Sequence, residues 1–307
     1  MLDNQPMFTH AQLVAHGLSD SDIRARLAAG ALTRIRRGVY CPATQLDPVD
    51  EHLRLVRATV PGVSPSNVLS HQSAGCLLGL PVPRRQLGVV SMTRRSGGHG
   101  SSRRQLRVHN TPLPDDEVTT VDDLQVTTLS RTTFDLSRTL EYPHAVAVCY
   151  CALREGLDRQ DLLGVIDRHK GRHGRARARM AAEFADPRAE SPAESLSRVQ
   201  LALHGLPAPD LQFPVINADG IQVARTDFAW PELRLVGEVD GKWKYGELLR
   251  PGRTAETAIM EEKRREADIR DAGYWIVRWD WSLALNGEEL ARRVWRAIRQ
   301  QRRLLGI

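Results

Sequence analysis

The stretch RTDFAWPELRLVGEVDGK, residues 225–242, decides the fold predicted for the C-terminal part of the chain. It predicts two apolar strands separated at Pro231, because proline cannot donate to a sheet ladder and favours a turn position. Asp227 falls on the first strand, and Glu238 and Asp240 fall at the end of the second. Since strand side chains alternate between two faces, Glu238 and Asp240 are predicted to share a face, with Asp227 beside them.

These carboxylates, with Lys242 close by, predict a metal-dependent site for phosphodiester chemistry. A charge in an otherwise apolar strand is costly unless it is paired or bound to a metal. Carboxylate oxygens suit Mg²⁺, and the metal and an ammonium group together stabilise the charge of an attacked phosphate. We therefore expect Asp227, Glu238 and Asp240 to be Mg²⁺ ligands. The alternative is that they are ordinary acidic residues at strand ends.

The same stretch resembles the PD-(D/E)XK nuclease superfamily, in the form related to very-short-patch repair endonucleases. That family builds its site from a glutamate on the first helix, an aspartate on the second strand and an acidic-x-lysine motif on the third. The matching catalytic positions are Glu194, Asp227, Glu238, Asp240 and Lys242, with Lys244 as a second candidate for the lysine. Two assignments stay open. If Glu238 is the motif acid, Asp240 occupies the lysine position; if Asp240 is the acid, Lys242 fits. The resemblance implies a Mg²⁺-dependent endonuclease.

The flanking sequence predicts an α/β domain over residues 188–307. Pro192 in a first turn and Glu194 near the positive end of the helix predict a helix start, and Gly205 predicts its end. The further elements predicted are strands at 211–216, 221–230 and 274–279 and helices at about 255–272 and 288–305. This order predicts a mixed sheet flanked by helices, which the resemblance makes restriction-endonuclease-like.

At the other end of the chain, residues 1–45 predict two short helices and a β-hairpin. Thr9 and Ser19 stand where helix caps are expected, and an acid three residues after Ser19 completes a capping box. The residues spaced to pack the two helices together are Leu13, Leu18, Ile23 and Leu27. Residues 32–40 alternate apolar and basic side chains around a glycine, which is typical of a small basic wing.

A winged helix-turn-helix reads DNA by placing its second helix in the major groove and its wing against the backbone. The predicted nucleic-acid-binding residues are Arg24 and Arg26 on the second helix and Arg34, Arg36 and Arg37 on the wing. Residues 1–110 hold 14 arginines and 6 acidic residues, whereas the whole chain has a net charge of +6. The basic excess therefore lies in the N-terminal third, as expected of a phosphate-binding surface. The alternative is a small helical domain with solvated arginines.

This segment resembles the N-terminal winged helix of AbiEi-type antitoxin regulators from abortive-infection, type IV toxin–antitoxin systems. The residues that carry the resemblance are Gln12-Leu13, Gly17-Leu18-Ser19, Ile23-Arg24, Leu27, Gly30 and Leu32-x-Arg34-Ile35-Arg36-Arg37-Gly38-Val39-Tyr40. The resemblance implies DNA as a partner and a cognate toxin protein as a second partner.

Residues 50–185 predict an α/β middle region, whose order of elements resembles the body that accompanies the AbiEi winged helix. His71 and His109 lie beside apolar residues and are predicted to be structural. Residues 94–104 predict a flexible basic loop. The arginines at 168–179 predict a solvated face, with a nucleic-acid contact as the alternative.

Several classes of protein are disfavoured by what the sequence lacks. Apolar runs stay below the roughly 18 residues that span a bilayer, and no signal peptide precedes Asp3, so no membrane contact is expected. The cysteines Cys41, Cys76, Cys149 and Cys151 lack zinc-site spacing, which predicts a reduced, cytoplasmic chain. Nucleotide-binding, zinc-protease and serine-hydrolase motifs are missing from the sequence.

Two hypotheses of function follow. The first is a Mg²⁺-dependent endonuclease that the winged helix delivers to DNA, in an abortive-infection or phage-defence setting. The second is a non-catalytic antitoxin and transcriptional repressor whose nuclease-like domain is a degenerate binding module. The enzyme hypothesis requires Glu194, Asp227, Glu238 and Asp240 to meet in space. The sequence sets neither the target sequence nor the oligomeric state.

Overall fold

The computed structural model describes residues 6–95, 99–186, 188, 191–240 and 255–307, the last range with side chains from residue 260 onward. Contacts between Cα atoms divide the chain into two compact units. The first unit contains residues 1–140 and 157–178, and the second contains residues 141–156 and 179–307. The three-domain division predicted from the sequence stays a prediction.

The helices and strands lie in the following order: β1 (Phe8–Thr9), α1 (His10–Ala15), α2 (Asp20–Ala28), β2 (Leu32–Arg36), β3 (Val39–Pro42), α3 (Pro48–Thr59), β4 (Asn67–Leu69), α4 (His71–Leu77), β5 (Val90–Arg94), β6 (Ser101–Arg103), β7 (Leu106–His109), β8 (Val118–Val121), β9 (Leu124–Thr127), α5 (Leu129–Thr139), α6 (Tyr142–Arg154), α7 (Arg159–Arg168), α8 (Arg175–Phe184), α9 (Pro192–Leu203), β10 (Asp210–Ile216), β11 (Gln222–Trp230), β12 (Leu235–Asp240), α10 (Ala255–Asp271), β13 (Trp275–Asp280), α11 (Trp281–Leu285) and α12 (Gly287–Leu305). None of the described helices combines the length and apolar character that crossing a membrane requires.

Residues 8–42, which we call the helix–wing segment after the sequence prediction, begin with the two caps that the sequence predicts. The hydroxyl of Thr9 accepts a hydrogen bond from the backbone N–H of Gln12, and that of Ser19 accepts one from Asp22, each at 3.2 Å. Strands β1 and β2 flank β3 in an antiparallel sheet. The core between helices and sheet contains Leu13, Ile23 and Tyr40, with Phe8, Leu18, Leu27 and Leu32 packed against it. The predicted packing of the two helices is therefore confirmed.

The first unit also contains a six-stranded sheet in the order β6-β7-β5-β4-β9-β8. One face carries an apolar core, to which α3 contributes Leu55 and Val56. The prediction of a flexible loop throughout residues 94–104 is wrong at residues 101–103, where β6 pairs antiparallel with β7. The sequence of β6, Ser-Ser-Arg, offers no apolar alternation, so the usual strand pattern is missing there.

A buried ion network lies beside this sheet and centres on Arg131, which is 1% exposed. Its Nε donates to Asp135 at 2.8 Å, and its Nη1 donates to Glu117 and, at 3.0 Å, to the carbonyl oxygen of Pro112. Burial would raise the pKa of Glu117, but hydrogen bonds from His169 and Arg131 lower it to about 2. The network thus keeps buried carboxylates ionised.

His71 and His109 are structural residues of the same region, as the sequence predicts. Their rings stack with centroids 3.8 Å apart, and the Nε2 atom of His71 lies 3.7 Å from Asp135. Burial lowers the pKa of His71 to about 3 and that of His109 to about 4. Both imidazoles are therefore neutral at physiological pH.

The second unit is built on a four-stranded sheet in the order β10-β11-β12-β13. The hairpin predicted around residues 217–220 and the two strands predicted on either side of Pro231 are present, with β11 antiparallel to β12; residues 241–242 lie outside the described residues. β13 runs parallel to β12, which makes the sheet mixed. At Gly237 in β12, an added Cβ would lie 2.7 Å from the ring of Trp279, so glycine permits the close packing of the core on this face.

Candidate nucleic-acid interface

Helix α2 presents the two arginines that were predicted to read bases. Ile23 is 3% exposed and holds the helix on the core, while Arg24 and Arg26 are exposed. Asp20 and Asp22 occupy the first turn, where negative charge is favoured by the helix dipole. Neither arginine forms an ion pair within 4.0 Å among the described residues, although the charge of Arg26 helps to lower the pKa of Asp22 one turn away.

The segment predicted to be the wing is the hairpin of β2 and β3, which turns at Gly38 with φ at +79°. Arg34 and Arg37 are exposed, and Arg36 is half-buried with its Nη1 donating to the carbonyl oxygen of Ala58 at 3.5 Å. Two contacts fix the wing against the six-stranded sheet. Ile35 packs on the apolar core of that sheet, and its carbonyl oxygen accepts a hydrogen bond from Gln105 Nε2 at 3.0 Å.

A cleft of about 820 Å³ opens between the wing and one end of the six-stranded sheet. We call it the arginine cleft. Its charged lining consists of Arg34, Arg36 and Arg37 from the wing and Arg94, Arg103 and Arg104 from β5, β6 and the turn after β6. None of the described residues that line it is acidic. The arrangement concentrates positive charge in a concave site, where low-dielectric walls strengthen the field.

The sequence identified only half of the charged residues in this cleft. The three wing arginines were predicted as DNA contacts, whereas Arg94, Arg103 and Arg104 were assigned to a flexible loop. The signal was present, because basic residues stand at both ends of residues 94–104. Their convergence with the wing depends on the pairing of β6 with β7 and of β7 with β5, which the sequence did not reveal.

The carboxylates of the predicted nuclease site lie in the second unit. Phe228 of β11 pairs with Gly237 of β12. Asp227 comes just before Phe228, and Glu238 comes just after Gly237. Asp227 and Glu238 are therefore neighbours. The Asp227 carboxylate accepts a hydrogen bond from the backbone N–H of Val239 at 2.8 Å, which places the carboxylate beside β12.

Two arginines neutralise Glu238, which is 5% exposed. Arg278, its register partner on β13, lies 2.9 Å from one carboxylate oxygen, and Arg265 of α10 donates to the other. Burial raises the pKa of Glu238, the two arginines oppose the rise, and the charge of Asp227 adds to it. The sequence did not predict that these arginines pair with Glu238, since both come from elements that follow β12 in the chain.

Glu194 and Asp240 are the remaining predicted catalytic residues that the structure describes. Glu194 is buried on α9 and accepts a hydrogen bond from Gln212 Nε2 at 3.0 Å. Asp240 is exposed at the end of β12. Lys242 and Lys244 lie outside the described residues.

The described carboxylates do not form a binding site for Mg²⁺ by themselves. Within the part of the chain that the structure describes, no three histidine, cysteine or acidic side chains come together in a way that could hold a metal ion. Both oxygens of Glu238 are paired with arginines, whose positive charges oppose the binding of a cation at this carboxylate. The Mg²⁺ site and the endonuclease hypothesis therefore stay predictions.

Comparison with known proteins supports the assignment at the N-terminus. Residues 2–43 match the family model described as "Transcriptional regulator, AbiEi antitoxin". That range contains all of the predicted DNA-contacting arginines on α2 and the wing. The PD-(D/E)XK resemblance of the second unit receives no support from these comparisons.

Relatives of the chain occur in Mycobacterium tuberculosis. The uncharacterized proteins Rv2248 and MT2308, from two strains, are each 37% identical over 148 residues, which is 48% of this chain and 51% of the relative. The match thus spans about half the length of these relatives. The crystal structure of the RV2827C protein from the same organism matches with a TM-score of 0.41 and 15% identity, covering 70% of this chain and 80% of that chain. A likeness this weak does not establish a shared fold.

Proposed function

We propose that the protein is a DNA-binding transcriptional regulator that docks through α2 and the wing. The observation that carries the proposal is the set of arginines on these elements, which have no ion-pair partner among the described residues and lie within the segment that matches the regulator family. Arginine is suited to this task because its planar guanidinium pairs with phosphate and with guanine edges.

The two groups of arginines have different roles in the proposal. Arg24 and Arg26, on the helix expected to enter the major groove, contact base edges and set sequence preference. The wing arginines contact phosphates and set the register of the protein on the duplex without reading sequence. A good bidentate contact between an arginine and a base is worth about 1–3 kcal/mol of discrimination.

The second unit is proposed to bind a protein partner, a cognate toxin, as the antitoxin resemblance implies. The pairing of Glu238 with Arg265 and Arg278 favours a non-catalytic role for this unit, because both oxygens of the acid at the centre of the predicted catalytic site are engaged by arginines. An antitoxin of this kind would repress its own promoter. The endonuclease hypothesis stays open for the residues beyond Asp240.

The experiment is a salt titration of DNA binding by fluorescence anisotropy. Each phosphate contact contributes about 0.9 to the slope of log K against log salt concentration on duplex DNA. The variant Arg34→Gln/Arg36→Gln/Arg37→Gln should therefore have a slope that is shallower by roughly 2.7. The change should be the same on a duplex of random sequence and on a duplex selected by the wild-type protein. Arg24→Gln should change preference among sequences selected by the wild-type protein. The same affinity and slope in the triple variant as in the wild type would contradict the proposal.

A further inference from the structure

We propose that the arginine cleft holds a stretch of phosphodiester backbone of the same DNA, with Arg94, Arg103 and Arg104 as phosphate contacts that lie outside the helix–wing segment. This inference rests on the proposed function, since it extends the surface on which the wing docks. It assigns a nucleic-acid-binding role to the end of the six-stranded sheet.

The strand register decides which side chains face the cleft. Ser101 pairs with Val108 and Arg103 pairs with Leu106, and all four of these residues line the cleft. Arg107 pairs with Ser102, and neither of these two lines it. Because strand side chains alternate between faces, Arg103 and Arg107 point to opposite faces of the same two-stranded ladder.

Arg94 reaches the cleft by the same alternation. Met92 of β5 pairs with Val108 of β7, so these two side chains share a face of the sheet. Arg94 stands two residues after Met92 and therefore lies on the same face. Its Nη1 has one long hydrogen bond, at 3.4 Å, to the carbonyl oxygen of His99. Three segments that are distant in sequence thus bring guanidinium groups to one concavity.

Charge pairing separates this cleft from the rest of the first unit. Arg95, next to Arg94 in sequence, forms an ion pair with Asp115, and Arg57 lies 3.9 Å from Asp122. The six cleft arginines have no carboxylate partner among the described residues. Clustered like charges repel each other, and a polyanion that enters the cleft relieves this repulsion and releases its own counterions.

The polar lining fits a phosphate backbone as well. Ser64, Ser101, Asn67 and Gln105 line the cleft beside the arginines. Hydroxyl and amide side chains are, with arginine, frequent donors to phosphate oxygens. Since Gln105 also donates to Ile35 in the wing, its position ties the two halves of the cleft together.

The test compares Arg103→Gln with Arg107→Gln, two exposed arginines on opposite faces of one ladder. In the salt titration, Arg103→Gln should make the slope of log K against log salt concentration shallower by about 0.9. It should weaken the affinity at about 0.1 M salt by roughly eightfold. The variant Arg94→Gln/Arg103→Gln/Arg104→Gln should lower the slope by about 2.7. Arg107→Gln should match the wild type. Circular dichroism checks that each variant is folded.

The outcomes separate this inference from the proposed function. If the wild type binds DNA and the wing variant weakens binding, but Arg103→Gln gives the same slope as Arg107→Gln, only the cleft inference is overturned. If the wild type binds no DNA, the proposed function fails. Calorimetric titration with ATP provides a further arm. ATP binding that depends on Arg103, together with an unchanged DNA slope, would make the cleft a site for a free nucleotide and would overturn the backbone contact.

Discussion

Replacing the buried Arg131 by methionine should strongly destabilise the first unit. The change keeps much of the side-chain volume but removes the guanidinium that bonds Asp135, Glu117 and the carbonyl oxygen of Pro112. It also removes a donor to the hydroxyl of Thr111, at 3.0 Å. Both carboxylates would then be buried with fewer counter-charges.

The size of the loss can be bounded from the remaining partners. Removing one member of a buried ion pair typically costs about 3–5 kcal/mol, because the other charge is left uncompensated. Asp135 keeps Arg138 at 3.0 Å, and Glu117 keeps Arg168 at 3.1 Å and His169 at 2.9 Å. We therefore expect a loss near the lower end, about 3 kcal/mol. That is a large part of the roughly 5–15 kcal/mol by which domains are stable.

The same substitution should change how stability depends on pH. Folding lowers the pKa of Glu117 from its ordinary value of 4.5 to about 2, so its ionised form stabilises the fold fully at pH values above about 4.5. This contribution is lost as the pH falls from about 4.5 to about 2. Without Arg131 the pKa of Glu117 is higher. The stability that depends on its ionisation is then smaller, and the loss of stability between these pH values is flatter.

Urea unfolding followed by circular dichroism measures the loss, and hydrogen exchange of Leu129–Thr139 locates it. All six tryptophans lie between residues 230 and 295, so their fluorescence follows the second unit separately. Arg107→Met, an exposed arginine of the same unit, is the control. A loss below about 1 kcal/mol in Arg131→Met, or an equal loss in the control, would refute the argument that the network is stabilising.

Two further predictions concern the histidine pair and the predicted nuclease site. The free energy of unfolding should fall as pH drops from about 6.5 towards 4, because His71 and His109 take up protons only when the chain unfolds. The fall should be up to roughly 1.4 kcal/mol per pH unit for each group. Urea midpoints of the wild type and of His109→Gln across this range test it, and an equally steep dependence of the midpoint on pH in the variant would contradict it. If the second unit cleaves DNA with Mg²⁺ or Mn²⁺, Asp227→Asn and Glu238→Gln should each abolish cleavage while DNA affinity stays within a few fold. Glu238→Gln should also lower the unfolding midpoint, because Arg265 and Arg278 lose their counter-charge. Cleavage that resists EDTA, or full activity in both variants, would show that these residues are not the metal site.

Local features of the fold were predictable because their causes lie within a few residues of each other. The hydroxyls of Thr9 and Ser19 cap their helices by accepting hydrogen bonds from backbone N–H groups three positions further on. The turn at residues 217–220 closes a hairpin between neighbouring strands. The apolar strands on either side of Pro231 appear for the same reason, since the apolar pattern and the position of proline act locally. Such features are visible in the sequence alone.

The missing parts depend on pairings between distant segments. Arg278 reaches Glu238 only because β13 runs parallel to β12 in a register that pairs these two residues. The arginine cleft likewise requires β6 to pair with β7 and Gln105 to hold the wing. Neither register leaves a pattern in a single sequence. For this reason the counter-charges of the buried acid and half of the basic site could not be predicted.

The most direct test of the DNA-binding proposal is the salt dependence of binding by the wild type and by Arg34→Gln/Arg36→Gln/Arg37→Gln, measured on one duplex over about 50–200 mM salt. The proposal predicts tight, salt-sensitive binding by the wild type. It predicts that the triple variant loses about 2.7 from the slope of log K against log salt concentration. Wild-type protein that binds no duplex, or a triple variant whose affinity and slope equal those of the wild type, would contradict it.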